Sequence, residues 1–195
     1  MLTNSIAYSQ SSISWFDPSS QLTYNETIGA VDCDINYEGF DKTLGVTITD
    51  FEPKPFFMHT QPQVQKWMKD KYLLECTANI YQADETTFLL LHMSINSENA
   101  KHAYGNLEKG SSLKITFDDD ENIYVENIER DRGQAQRSKS ITLYEGIYPL
   151  EGFEIKELSR KNIITLGIVW EEGYQEYEVQ NSDLIRNQVN CLKKK

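Results

Sequence analysis

Nowhere in this 195-residue chain do apolar residues run far enough to cross a bilayer as a helix, which takes roughly 18 to 20 of them. Cysteine is scarce: Cys33, Cys76 and Cys191 are too few for a disulfide-built scaffold and odd in number. Cys76 and Cys33 each sit on an apolar strand face, which suits inert core thiols rather than activated nucleophiles. Basic residues are outnumbered 19 to 30, giving a net charge of −11 that repels nucleic acid and anionic membrane. The three histidines, His59, His92 and His102, show no metal-ligand spacing with one another or with cysteine. There is no glycine-rich phosphate loop and no Gly-x-Ser-x-Gly elbow, so no cofactor is implied. Internal repeats and low-complexity linkers are also missing.

What is present is alternation. Leu74, Cys76, Ala78 and Ile80 recur with a period of two. After the polar break at residues 82–86, Leu89, Leu91, Met93 and Ile95 do the same. Successive strand side chains face opposite sides of a sheet, so this is the pattern of a half-buried antiparallel hairpin. An apolar fraction of 39%, with eight Phe, eleven Tyr and three Trp, supplies enough surface for a folded core.

Further extended segments surround this hairpin. Residues 13–16, 22–24 and 30–37 are strand candidates, and residues 43–51 place Leu44, Val46 and Ile48 on one face. Pro53 and Pro55 call for a loop or an edge there. Thr60-Gln61-Pro62-Gln63 has the form of a capping box, and Val64, Trp67, Met68 and Tyr72 predict a helix packing its aromatic side on the sheet. Residues 97–110 read as a long loop. Residues 113–117 and 123–128 form a hairpin about the Asp118–Asn122 turn, and 140–144 is a strand ended by Gly146 and Pro149. Residues 150–158 suggest a short helix. Residues 163–170 and 174–179 make a last hairpin, and Ser182 caps a terminal helix striped with Leu184, Ile185, Val189 and Leu192.

Strands spaced by about 8 to 12 residues with turns between them predict a mainly β fold, an antiparallel β-sandwich or open barrel with about three short helices. One domain over residues 11–195 is expected, with a sub-lobe boundary near residue 60 as the alternative. Residues 1–10 resemble the end of a signal peptide, with Ala7 and Ser9 placed as at a cleavage site. Residues 1–5 cannot supply the basic and apolar parts of a leader, so either a leader has been lost or the match is accidental.

The candidate sites compete with plainer readings. Asp32, Asp34 and Asn36 alternate as calcium ligands do, but the expected Gly and Glu of a calcium loop are Tyr37 and Thr43, which favours a solvated strand face and no metal. The Asp118–Asn122 cluster reads as an ordinary acidic turn, with a weak cation site as the residue of that reading. Arg130, Arg132 and Arg137, in the one dense arginine segment, offer forks suited to carboxylates or phosphates, against the plainer reading of a self-paired solvated loop. Tyr144, Tyr148, Trp170, Tyr174 and Tyr177 supply rings around the last hairpin, and Tyr174 and Tyr177 are the candidates for stacking a sugar or a partner side chain. Core placement is the competing account.

The stretch Tyr104-Gly105-Asn106-Leu107-Glu108-Lys109-Gly110-Ser111, with Tyr144-Glu145-Gly146-Ile147-Tyr148-Pro149 and the final helix, resembles small, uncharacterised exported β-rich bacterial proteins. The likeness covers the last half of the chain and rests on general patterning. It implies export and a sandwich-like fold, and brings no activity and no functional residues.

The reading that follows is a non-enzymatic binding domain, periplasmic or extracellular, for a protein or glycan partner and not for nucleic acid. The alternative is a hydrolase whose carboxylates assemble only in space.

Overall fold

A computed structural model describes residues 33–68 and 71–193. The strand candidates at 13–16 and 22–24, Asp32 and the leader-like residues 1–10 lie outside the described residues. The alternating segment forms the predicted hairpin, β4 (Leu74–Ala83) and β5 (Thr86–Ile95), paired without interruption from Leu74↔Ile95 to Ala83↔Thr86. The strands run further than the polar break suggested, because the turn needs only Asp84 and Glu85, with Asp84 taking a positive φ of 50°. The apolar faces of both strands are fully buried, from Leu74 to Ile80 and from Leu89 to Ile95.

Around the hairpin lie β1 (Ile35–Asp41), β2 (Val46–Phe51), β3 (Lys54–His59), β8 (Gln134–Gln136) and β9 (Ile141–Leu150). They form a seven-stranded antiparallel sheet in the order β1-β2-β4-β5-β9-β8, with β3 also on β4. A second sheet, β11-β10-β6-β7, comprises β6 (Ser112–Phe117), β7 (Asn122–Glu126), β10 (Ile163–Trp170) and β11 (Gly173–Glu178). Inner residues of both, such as Leu91, Tyr148, Ile115 and Leu166, share one hydrophobic cluster. The fold is therefore mainly β and sandwich-like, with no closed barrel among the described residues. Among the described residues four short α-helices accompany it: α1 (Pro62–Met68), α2 (Lys101–Tyr104), α3 (Gly152–Leu158) and α4 (Leu184–Leu192).

Strand β4 changes partners along its length, pairing with β2 at residues 81–83 and with β3 at 74–78. The Ile80 amide falls in the gap and donates to Gln188 Oε1 of α4 at 2.7 Å, while the Gln188 side chain donates to the Glu52 carbonyl. A buried amide without a partner costs about 1–3 kcal/mol, so one glutamine on the last helix closes a break in the large sheet. The open edge of β3 is covered similarly. The Gln180 and Asn181 amides donate to the Phe56 carbonyl, and Asn181 Nδ2 donates to the Pro55 carbonyl at 3.1 Å. As the prolines required, β3 is an edge strand, and its register slips between Pro55 and Phe57.

Four expectations need correction. Cys33 is not an inert thiol: it forms a disulfide with Cys191, 158 residues away, across a Cα–Cα distance of 5.9 Å. Cys76 is the buried free thiol. Helix α1 buries none of its residues, and Trp67 is 73% exposed with the Lys66 ammonium 5.0 Å from its ring centre. About two turns are too short for a wide apolar stripe, and the Thr60 hydroxyl accepts the Leu73 amide instead of capping the helix. Strand β9 runs through Gly146 and Pro149 to Leu150. This is possible because β8 pairs only with residues 141–143, so no β8 bond is lost at Pro149. Finally, the strand expected over residues 43–51 begins only at Val46, so Leu44 is exposed in the preceding turn while Ile48 is buried, and Phe51 of the same strand is buried on the opposite face.

Candidate functional site

The outer face of the small sheet carries two exposed rings, Tyr124 and Tyr174. In Ile123-Tyr124-Val125 the flanking residues enter the core, so period-two geometry turns Tyr124 outward, where it is 63% exposed. The register lays Glu176, Gly167, Lys114 and Tyr124 in one row across β11, β10, β6 and β7. Tyr174, 51% exposed, lies diagonally over that row. A Cβ at Gly167 would fall 2.1 Å from Tyr174 Oη and 2.6 Å from two of its ring carbons, so the phenol end rests on bare backbone. Tyr174 Oη donates to Glu176 Oε1 at 3.0 Å, and Lys114 Nζ reaches the same oxygen at 3.4 Å. Partial burial and then this carboxylate raise the pKa of the Tyr174 hydroxyl. One ring is thus clamped and open on its outer side, and a second stands across the lysine from it.

Tyr177 is three residues from Tyr174, and an odd spacing on a strand puts the two on opposite faces. It is 1% exposed, stacked on Phe57 at 4.9 Å, and its hydroxyl accepts from Trp170 Nε1 at 3.2 Å. Tyr177 is therefore a core residue. Tyr144, Tyr148 and Trp170 are buried as well. The sequence reading did not single out Tyr124, although the apolar residues on both sides of it were the signal.

The arginine segment begins where β7 ends. It is firmly held. Buried Asn127 donates to the carbonyls of Glu108 and Glu129 and accepts the Ile147 amide at 3.0 Å. The Asp131 carboxylate accepts the amides of Gly133 (2.8 Å) and Glu145 (2.6 Å), and burial still raises its pKa. Arg130 is paired with Glu108 at 2.9 Å, as the self-paired reading anticipated. Arg132 and Arg137 are exposed and have no ion-pair partner among the described residues. Arg137 borders a shallow recess of about 410 Å³ with Glu98, Asn99 and Ala135.

On the outer face of the large sheet a polar chain crosses five strands. Asn36 and Asn79 each donate to Asp50, at 2.8 and 2.9 Å. The Asn79 carbonyl then faces His92 Nε2 at 3.0 Å, and His92 Nδ1 lies 3.2 Å from Glu145. Because the Asn79 amide is committed to Asp50, its oxygen must accept from the imidazole. Burial raises the Asp50 pKa, opposed by these contacts. Asn36 therefore serves Asp50, and Asp34 pairs with Lys54. Neither is arranged with others as a calcium ligand.

The acidic turn has a resident cation. Lys161 Nζ contacts Asp119 at 2.7 Å, Glu157 at 3.0 Å and also Glu121, while Asn162 donates to Asp118 at 3.0 Å. Among the described residues no three His, Cys, Asp or Glu are grouped to hold a metal. No described helix is long and apolar enough to cross a membrane. Searches of family models, curated proteins and solved structures found no match to this chain.

Proposed function

We propose that the chain is a non-catalytic binding domain working in the periplasm or outside the cell. The observation that carries this reading is the pair of exposed tyrosines on the small sheet, one of them clamped in place. Exposed rings with little freedom left to lose are suited to recognition, since immobilising flexible side chains is a main cost of binding. Arg132 and Arg137, on either side of the edge strand β8 of the large sheet, supply a second, charged contact, because planar guanidinium groups fit carboxylates. The Cys33–Cys191 bond supports the location, because such bonds persist in oxidising compartments and are rare in the cytosol. A carboxylate hydrolase has less support: Asp50 and Asp131, whose protons are held more tightly than usual, both spend their oxygens on amide donors.

The test is to recover the native protein from its source and identify what comes with it. Capture of that material is then compared among wild type, an Arg130/Arg132/Arg137→Ala variant and a Tyr124/Tyr174→Ala variant. The binding reading requires one of the two to lose capture while keeping the wild-type melting temperature. Undiminished capture by both would refute the assignment of these surfaces.

A further inference from the structure

We infer that the outer face of the small sheet binds an extended, uncharged polysaccharide, with Tyr124 and Tyr174 each stacking one sugar ring. The inference rests on the binding reading above and adds the chemical class of ligand.

Three features of the face favour sugar. The first is spacing. The Tyr174 ring extends over β10 and Tyr124 stands on β7, two strand gaps away, or about 10 Å. Rings so separated on a flat sheet match a stretched chain of sugars lying across the strands, not a compact ligand in a pocket. The second is the chemistry between the rings. Lys114, Glu176, Thr116 and Asn122 all project from this face, offering donors and acceptors to hydroxyl groups. Thr116 and Asn122 are already hydrogen-bonded to each other at 2.6 Å, so these groups are ordered in advance. A protein hot spot instead needs one desolvated apolar cluster, whereas here exposed Val169 adjoins Tyr174 and Lys114 separates that pair from Tyr124.

The third is charge. Glu176 neutralises Lys114, and Glu126 and Glu178 add negative charge at opposite corners of the same face. On a protein of net charge −11 this repels anionic glycans, nucleic acid and phospholipid headgroups. A pyranose has an apolar C–H face that packs on the electron-rich face of a phenol, and a hydroxyl rim that needs no charge.

The experiment is native affinity electrophoresis of the full oxidised chain through gels containing hydroxyethylcellulose, xylan, galactomannan or glycol chitin, with heparin and alginate as anionic controls. Titration calorimetry follows with oligosaccharides of whichever glycan retards the protein. We expect retardation by at least one neutral glycan and by neither anionic one. Tyr124→Ala and Tyr174→Ala should each weaken binding about tenfold, the scale of one lost aromatic contact. Gly167→Ala is the sharper variant. It leaves both tyrosines in the chain but lifts the Tyr174 ring off the sheet, and should cost as much as Tyr174→Ala with the core untouched. Melting curves confirm that each variant is folded.

Failure of every neutral glycan to retard wild type, or equal retardation of the double tyrosine variant, overturns the inference. If wild type ignores all the glycans yet Tyr124/Tyr174→Ala still loses native capture, the ligand class is wrong and the binding reading stands. If capture survives in both the tyrosine and the arginine variants, both fall.

Discussion

Breaking the Cys33–Cys191 bond should lower stability more than any single core truncation. The bond closes a loop of 158 residues. In the chain-entropy account, a cross-link of that span removes about 5 kcal/mol of freedom from the unfolded ensemble. For a protein of this size each kcal/mol moves the melting temperature by about 2–4 °C, so loss of the bond should lower it by about 10–20 °C. The perturbation is the double variant Cys33→Ser/Cys191→Ser, with reduced wild type as a second route to the same state. Thiols are first counted in denaturant. The oxidised protein should show one, Cys76, and the reduced protein three. Thermal melts followed by circular dichroism then compare the states. Superimposable melts of a verified oxidised protein and the double variant would refute the reasoning, as would three titratable thiols in protein recovered from an oxidising compartment.

Other outcomes follow from single contacts. The Tyr148 hydroxyl is buried without a hydrogen-bond partner among the described residues, so Tyr148→Phe should be neutral or stabilise by about 1 kcal/mol in urea unfolding. Asn79→Ala removes a donor from the half-buried Asp50 carboxylate and should destabilise by about 1–3 kcal/mol in the same assay. Calcium should barely move the wild-type melting temperature, because Lys161 already occupies the acidic turn; Lys161→Gln should lower it, and a large calcium-dependent rise in wild type would count against this account. Burial first, then Asp131, pushes the Tyr144 pKa up to about 12 from an ordinary 10. The folded form holds that proton more tightly than the unfolded one, so its contribution is complete below pH 10 and is lost as pH rises through about 12. Spectrophotometric titration should show Tyr144 ionising together with unfolding, not before it.

The architecture was legible where it was local. Period-two alternation in residues 74–95 fixed the central hairpin, its pairing and its buried face, because strand geometry translates directly into residue spacing. Helix α1 misled, since four residues at helical spacing carry the same pattern whether or not a surface waits for them. Pairings between distant parts of the chain left no trace. Cys33 and Cys191 lie at opposite ends of an odd set, and the chain from Asn36 through Asp50, Asn79 and His92 to Glu145 draws one side chain from each of five strands. The candidate face lay between these cases. The apolar neighbours of Tyr124 and the odd spacing of Tyr174 and Tyr177 were both visible in the sequence, but which rings share a face followed only from sheet register.

Gln188 closing the gap in β4 has a consequence for biosynthesis. The nascent chain emerges at about 5–20 residues per second, and β4 will have left the ribosome 108 residues before the side chain that completes its hydrogen bonding. Until then the Ile80 amide lacks its acceptor, and Cys33 lacks its native partner while Cys76 is the one other thiol already made. The large sheet therefore keeps one unsatisfied buried donor until α4 has been made. Both the last hydrogen bond of β4 and the disulfide thus wait on α4, so the helix made last among the described elements is the one that locks those made first.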